Sequence, residues 1–197
     1  MNDPLPLGKI QQAVLDFLEG RDDAALFGAM AVNAYVDERR MTEDVDIVST
    51  RAKDLAEELR QHLNELFSIA IRLRTVGDEA GFRLYQIVKP KNRHLVDLRP
   101  VDELPPTERV DGVLVVNPAE VIASKVVACC ERKGRPKSFT DRRDLAVLLL
   151  TFPDLKSETG SVQDRLATKK NTPEIVALWQ ELVAEEIPAD HEDDEFH

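Results

Sequence analysis

The chain has 197 residues, 43% hydrophobic and 32% charged, a composition that fits one globular domain or one core domain with a helical extension and is long enough to bury an apolar core. It has no apolar run of about 18 residues that could span a bilayer, and its opening MNDPLPLGKI lacks the basic start and apolar stretch of a secretory signal, so the expected location is the cytoplasm and no membrane role is supported. A formal charge of −11 excludes binding of long duplex DNA through the protein's average field.

The first apolar rhythm, Ile10, Val14, Leu15, Phe17 and Leu18, predicts an amphipathic helix over residues 7–18 that closes at Gly20. Ala24-Ala25-Leu26-Phe27 reads as a short buried strand turning at Gly28 into a helix over 30–36. A strand over 45–49 and a strongly periodic helix over 52–67, with Leu55, Leu59, Leu63 and Leu66, follow. Period-two alternation over 69–74 and 82–88, with Gly77 and Gly81 between, predicts a hairpin, and His94-Leu95-Val96-Asp97-Leu98 predicts a third strand. Residues 100–111, with Pro100, Pro105 and Pro106, read as a linker, and beyond it the pattern is helical: 118–131 capped by Asn117, 140–150, 161–167 and 173–185.

The expected fold class is therefore α/β (α+β), a mixed sheet flanked by helices with a C-terminal helical part. Expected boundaries are a core over 1–101, a helical region over 102–187 and an acidic tail over 188–197. From Glu185 onward there are seven acids and no Lys or Arg, which reads as a solvating, disordered end. Cys129 and Cys130 are adjacent in a helical pattern, cannot form an ordinary disulfide with each other and lack zinc-site spacing, so they read as packing residues.

Asp44 and Asp46 stand two apart around the start of a strand, where i and i+2 share a face. Two carboxylates side by side repel unless a cation sits between them, and a hard divalent ion such as Mg²⁺ prefers oxygen ligands. The bland alternative is a solvated pair at the end of a loop. Upstream, Gly28-Ala29 at a strand-to-helix turn would let backbone amides and the helix dipole approach phosphates.

Leu26-Phe27-Gly28-Ala29-Met30-Ala31, followed by Arg40-Met41-Thr42-Glu43-Asp44-Val45-Asp46-Ile47, resembles the nucleotidyltransferase superfamily of the DNA polymerase β type: a Gly-Gly or Gly-Ser turn, a helix, then an Asp-x-Asp strand often preceded by Arg-x-Thr. The resemblance implies a third carboxylate from a later strand, where Asp97 stands, so that Asp44, Asp46 and Asp97 are the catalytic and metal-binding set for Mg²⁺ or Mn²⁺. It also implies that Gly28 and Ala29 hold a nucleoside triphosphate. Further on, Asn117 to Lys125, Arg132, Arg135-Pro136-Lys137 and Asp141-Arg142-Arg143-Asp144-Leu145 are similar to the Lys…Arg…Asp-x-x-Asp-Leu helical segment of the abortive-infection, AbiEii-type nucleotidyltransferase toxins. There Lys125 would place a positive charge near the triphosphate. The likeness spans roughly residues 24–150 as separated motifs, and its specificity lies in their order.

Two positions depart from it. Ala29 stands where Gly or Ser is common, which removes a hydroxyl contact to phosphate, and Thr140 stands before Asp141 where relatives often carry Arg. Alternatives also remain open for several residues: Lys125 could snorkel from a half-buried helix, and Asp141 and Asp144 could complement a helix dipole or pair with Arg142 and Arg135. His94, by strict alternation, falls on the face opposite Asp97. The basic set Arg132, Lys133, Arg135, Lys137, Arg142 and Arg143, with Arg39 and Arg40, is either an RNA-acceptor surface or a solvated helix end.

The functional expectation is transfer of a nucleoside monophosphate from a triphosphate to an acceptor hydroxyl on RNA, protein or a small molecule, in a toxin–antitoxin setting. Its rival is a catalytically silent module of the same fold that binds a nucleotide or a partner protein, such as an antitoxin.

Overall fold

The computed structural model describes residues 5–78 and 80–188. The expected acidic tail falls, from residue 189 on, outside the described residues. The chain divides into two compact units, residues 1–34 with 39–117, and residues 35–38 with 118–197.

The first unit is built on a seven-stranded mixed sheet. Helix α1 (Leu7–Leu18) precedes β1 (Ala24–Leu26), α2 (Gly28–Tyr35), β2 (Val45–Ser49), α3 (Ala52–Phe67), β3 (Ile71–Val76), β4 (Gly81–Gln86), β5 (Arg93–Pro100), β6 (Thr107–Val110) and β7 (Val113–Val116). The strand order is β3-β4-β5-β2-β1-β7-β6. The pairs β2–β5 and β1–β7 are parallel and the other four antiparallel. Helix α3 lies on the β2–β5 portion. Its Leu55, Leu59 and Leu63, one apolar stripe at i, i+4 and i+8, are fully buried against the sheet face that carries Ile47, Leu84, Val96 and Leu98. Each leucine buried in this way contributes about 1.5–3 kcal/mol. Alternation then places the polar residues of β3, β4, β5 and β2 on the opposite face.

The linker expected over 100–111 and the boundary near 101 are corrected by β6 and β7, which form an antiparallel hairpin and extend the sheet beside β1. The turn is Asp111-Gly112, with φ of 47° and 82°, the two left-handed positions that a tight two-residue hairpin requires. The core unit therefore runs to Asn117.

The second unit is helical: α4 (Pro118–Glu131), α5 (Pro136–Thr151), a 3-10 turn at Pro153–Leu155, α6 (Ser161–Lys169) and α7 (Pro173–Ala184). Helix α4 packs against α5, α6 and α7, so it is buried nearly all round. Trp179 of α7 is fully buried, and its indole N–H donates to the Ser157 carbonyl at 3.2 Å. No helix among the described residues is long and apolar enough to cross a membrane.

Candidate active site

The strand-to-helix turn between β1 and α2 is welded to β2. The Phe27 amide donates to the Asp46 carbonyl at 3.1 Å, and Gly28 follows with φ of 64°, a backbone state that costs an L side chain about 1–2 kcal/mol. A Cβ at Gly28 would overlap Asp46 Oδ2 and lie 2.9 Å from its Cγ. The Asp46 carboxylate therefore rests on the bare Cα of Gly28, and only glycine meets both requirements. Ala29 is the next residue of α2, a helix whose first amides have no acceptor within the helix itself.

The loop before Asp44 is fixed by Thr42 of the Arg-x-Thr motif together with two side chains outside that motif. Asn33 of α2 donates to the Arg40 carbonyl at 2.8 Å and accepts from the Arg40 amide at 3.1 Å. Gln11 of α1 donates to the Thr42 carbonyl at 3.0 Å, and the Thr42 hydroxyl donates to the Asp44 carbonyl at 3.2 Å. Asn33 and Gln11 lie outside the short motif, and nothing in their spacing advertises that they clamp it.

Asp46 of β2 is the register partner of Asp97 of β5, which sets two carboxylates side by side on one sheet face. Such a pair is unfavourable without a cation. Arg83 of β4 is the next residue in that row and meets Asp97 Oδ2 at 3.3 Å; the Asp97 charge keeps the Arg83 pKa above its usual value.

His94 requires a correction. The β4–β5 ladder pairs Leu84 with Val96 but Tyr85 with His94, skipping one residue of β5. This bulge reverses the alternation and brings His94 onto the Asp97 face, with Nδ1 3.0 Å from Asp44 Oδ2. The hydrogen bond to Asp44 raises the His94 pKa above 6.5, against burial, which lowers it. Its ring stacks on Tyr85 at 4.9 Å between centroids, and Nε2 is buried with no hydrogen-bond partner among the described residues.

Three aspartates thus supply the hard oxygen donors that a small divalent cation takes, and the Gly28 cradle holds one of them in place. Asp97 pairs with the Arg83 guanidinium and Asp44 with the His94 imidazole, and among the described residues no three His, Cys, Asp or Glu side chains gather closely enough to hold an ion. In donor chemistry the set fits Mg²⁺ or Mn²⁺; the side chains as placed do not close around one.

In the helical unit, Lys125 is buried on α4, and its Nζ donates to Asp141 Oδ1 at 3.1 Å and Asp144 Oδ2 at 2.7 Å, both on α5. Arg132 adds a bond to Asp141 Oδ2 at 2.9 Å. Asp141 and Asp144 are thus buried ion-pair partners, joined to Arg132 and Lys125 rather than to Arg135. Burial pushes the Cys129 thiol pKa up, and both cysteines are free, in keeping with packing roles. Of the basic set, Arg142 is tied to Glu181 and Glu185 and Arg143 donates to the Glu38 carbonyl. Lys133, Arg135 and Lys137 are exposed, with Phe139 beside them 73% exposed, an aromatic that the sequence reading passed over.

The model of the family described as the nucleotidyl transferase AbiEii toxin of type IV toxin–antitoxin systems matches residues 12–196. No curated protein matches the chain in sequence. Among solved structures, the polyadenylate synthase of Megavirus is similar with a TM-score of 0.60 and 13% identity over 75% of this chain, which spans only 32% of the viral one. JHP933 from Helicobacter pylori gives 0.57 and 16% over 89% of this chain and 90% of that one. An antigenic nucleotidyltransferase-like protein from Paracoccidioides brasiliensis gives 0.51 and 19% over 90% and 95%. At these identities the likeness concerns the fold.

Proposed function

The chain belongs to the AbiEii nucleotidyl transferase toxin family, and from that premise we propose that it transfers a nucleoside monophosphate from a triphosphate to an acceptor hydroxyl. The observation that carries this reading is the Asp46 carboxylate seated on Gly28, with Asp97 in register beside it. A nucleotide whose phosphates sit at the head of α2 receives backbone amide donors and the positive end of the helix dipole. Ala29 contributes its backbone only.

Asp44, Asp46 and Asp97 are the residues that would hold Mg²⁺ or Mn²⁺. Bound there, such an ion supplies positive charge for the leaving pyrophosphate and makes the acceptor hydroxyl more acidic. In the reaction the acceptor oxygen bonds to the α-phosphorus, the bridging bond to the β-phosphate breaks, pyrophosphate leaves and the hydroxyl proton passes to solvent. Gln11, Asn33 and Thr42 keep the Asp44 loop in position, while Arg83 pairs with Asp97 and His94 hydrogen-bonds Asp44. Lys125 enters the proposal as a nucleotide-binding residue on the strength of the family segment alone. The acceptor is RNA, a protein or a small molecule, and the setting is a cytoplasmic toxin–antitoxin pair with a partner protein.

Incubation with each α-labelled nucleoside triphosphate, Mg²⁺ and candidate acceptors tests the reading. Label transfer that Asp46→Asn abolishes supports it; transfer that survives that substitution refutes the site. A second reading, a silent module that binds nucleotide or a partner such as an antitoxin, is favoured by Ala29 in the turn and by the pairing of Asp44 and Asp97 within the protein. Calorimetric titration separates the two: the silent module takes nucleotide without metal, or none, and releases no pyrophosphate.

A further inference from the structure

The start of helix α5 is left positively charged. Lys133, Arg135 and Lys137 bracket it, all three exposed, and the carboxylates nearest them in sequence are engaged elsewhere, Glu131 with Lys170 and Asp141 with Lys125 and Arg132. None of the three cations has a carboxylate partner among the described residues. The helix has no side-chain cap and no acid in its first turn, so the positive end of its dipole adds to the cluster. Further along, the same helix already receives acids from the end of α7: Arg142 donates to Glu181 at 2.9 Å and to Glu185 at 2.7 Å. Arg135 and Arg142 are about two helical turns apart, which sets them on one side of α5 and about 10 Å from each other along its axis. Glu185 is the first of seven acids that run to Glu195 without a Lys or Arg among them. The chain therefore leaves α7 with the first acid of that run already bound to α5, shortly before the described residues end at Pro188.

We propose that the acids Asp190, Glu192, Asp193, Asp194 and Glu195 continue this contact toward the start of α5 and pair with Lys133, Arg135 and Lys137, so that the protein covers its own basic helix end. Surface and occupant both belong to the helical unit, and the inference is independent of the transferase reading. The reach is sufficient. Asp190 to Glu195 stand about 7–24 Å of extended chain beyond Pro188, against about 10 Å from Arg142 back to the start of the helix. An exposed ion pair contributes little alone, but a connection this short holds the acids at a roughly millimolar effective concentration. A second copy of the chain is the poorer occupant, because a net charge of −11 keeps copies apart. In these three members the basic set is therefore neither an acceptor surface nor a solvated helix end. It is a docking surface for the chain's own acids, and an external polyanion reaches it only by displacing them.

The test is zero-length cross-linking of the full chain with a water-soluble carbodiimide, which joins a carboxylate to a lysine amine in contact with it, followed by mass spectrometry of the monomer fraction. Links from Lys133 or Lys137 to residues 190–195 are expected at low salt and should disappear at about 0.5 M NaCl, where the Debye length is about 4 Å. A full-length variant that combines Asp190→Asn, Glu192→Gln, Asp193→Asn, Asp194→Asn and Glu195→Gln supplies a second readout. In a pulse of acetic anhydride its Lys133 and Lys137 should be acetylated about two- to fivefold faster than in the parent, the protection that an exposed ion pair gives. Lys91, exposed in the connection between β4 and β5, should react at the parent's rate. The absence of links from Lys133 and Lys137 to residues 190–195, or links found only between two chains, would overturn the proposal. Equal acetylation of Lys133 and Lys137 in parent and variant would do the same, as would a rate change shared in full by Lys91, since the acids would then act through overall charge and not by docking.

Discussion

Gly28 couples two demands at one atom: a left-handed backbone at φ 64° and an absent Cβ where the Asp46 carboxylate lies. Gly28→Ala is expected to lower the unfolding free energy by at least about 1–2 kcal/mol from the backbone alone and to push Asp46 out of place. Because the displaced group is Asp46, the combination of Gly28→Ala with Asp46→Ala should cost less than the sum of the two single changes, which urea denaturation of all four proteins measures. His94 provides a pH-dependent counterpart. Its pKa is raised by Asp44, so its contribution to stability is fully present below about 6.5 and is lost as pH rises through the higher folded value. The stability gap between parent and His94→Gln should therefore be wider at pH 6 than at pH 9. By NMR, the imidazole should titrate above 6.5 in the parent and move down in Asp44→Asn.

Among the elements, α1, β2, α3 and α4 were legible to the residue: α1 and α3 each bury one stripe, β2 is a short and mostly buried run, and α4 opens at Pro118 and is buried nearly all round. Two features were not legible, for physical reasons. The β6–β7 hairpin lies among prolines and charges that read as linker, and yet Asp111-Gly112 is the dipeptide that two left-handed positions favour, so its signal was in the chain and outweighed by its neighbours. The bulge in β5 has no such signal: one residue skipped against β4 reverses the face of everything before it, and only the pairing of the strands reveals that. Asp44, Asp46, Asp97 and Gly28 could be picked out because their order is local and regular; Asn33, Gln11 and Arg83 could not, because their roles depend on contacts far along the chain. Between α4 and α5, the buried Lys125 binds two aspartates. Lys125→Met would remove the buried cation between those carboxylates and leave Arg132 on Asp141 and Arg143 at 3.8 Å from Asp144, and its expected cost is about 3–5 kcal/mol by denaturant titration. A nucleotide affinity that falls in Lys125→Met below its melting temperature would add the direct role that the family segment suggests.

For the molecule as a whole, charge and chain path matter more than any single contact. A net −11 keeps copies apart and repels nucleic acid at long range, so attraction to phosphate has to come from local strips and be steeply weakened by salt. The chain also leaves the sheet unit at Tyr35, lends residues 35–38 to the helical unit and returns at Arg39. There the Tyr35 ring meets Phe152 edge-on at 5.6 Å, and the Glu38 carbonyl accepts from Arg143 at 3.1 Å. This brief loan has a consequence for dissection. If a protease site placed after Asn117 is cleaved, the larger fragment still owns four residues that complete the smaller one, in the manner of a stitch left in place when the seam is cut. The nicked protein should elute as a single species in native gel filtration and separate into two bands only on a denaturing gel, whereas residues 118–197 made alone should melt at a lower temperature than the same helices in the nicked pair.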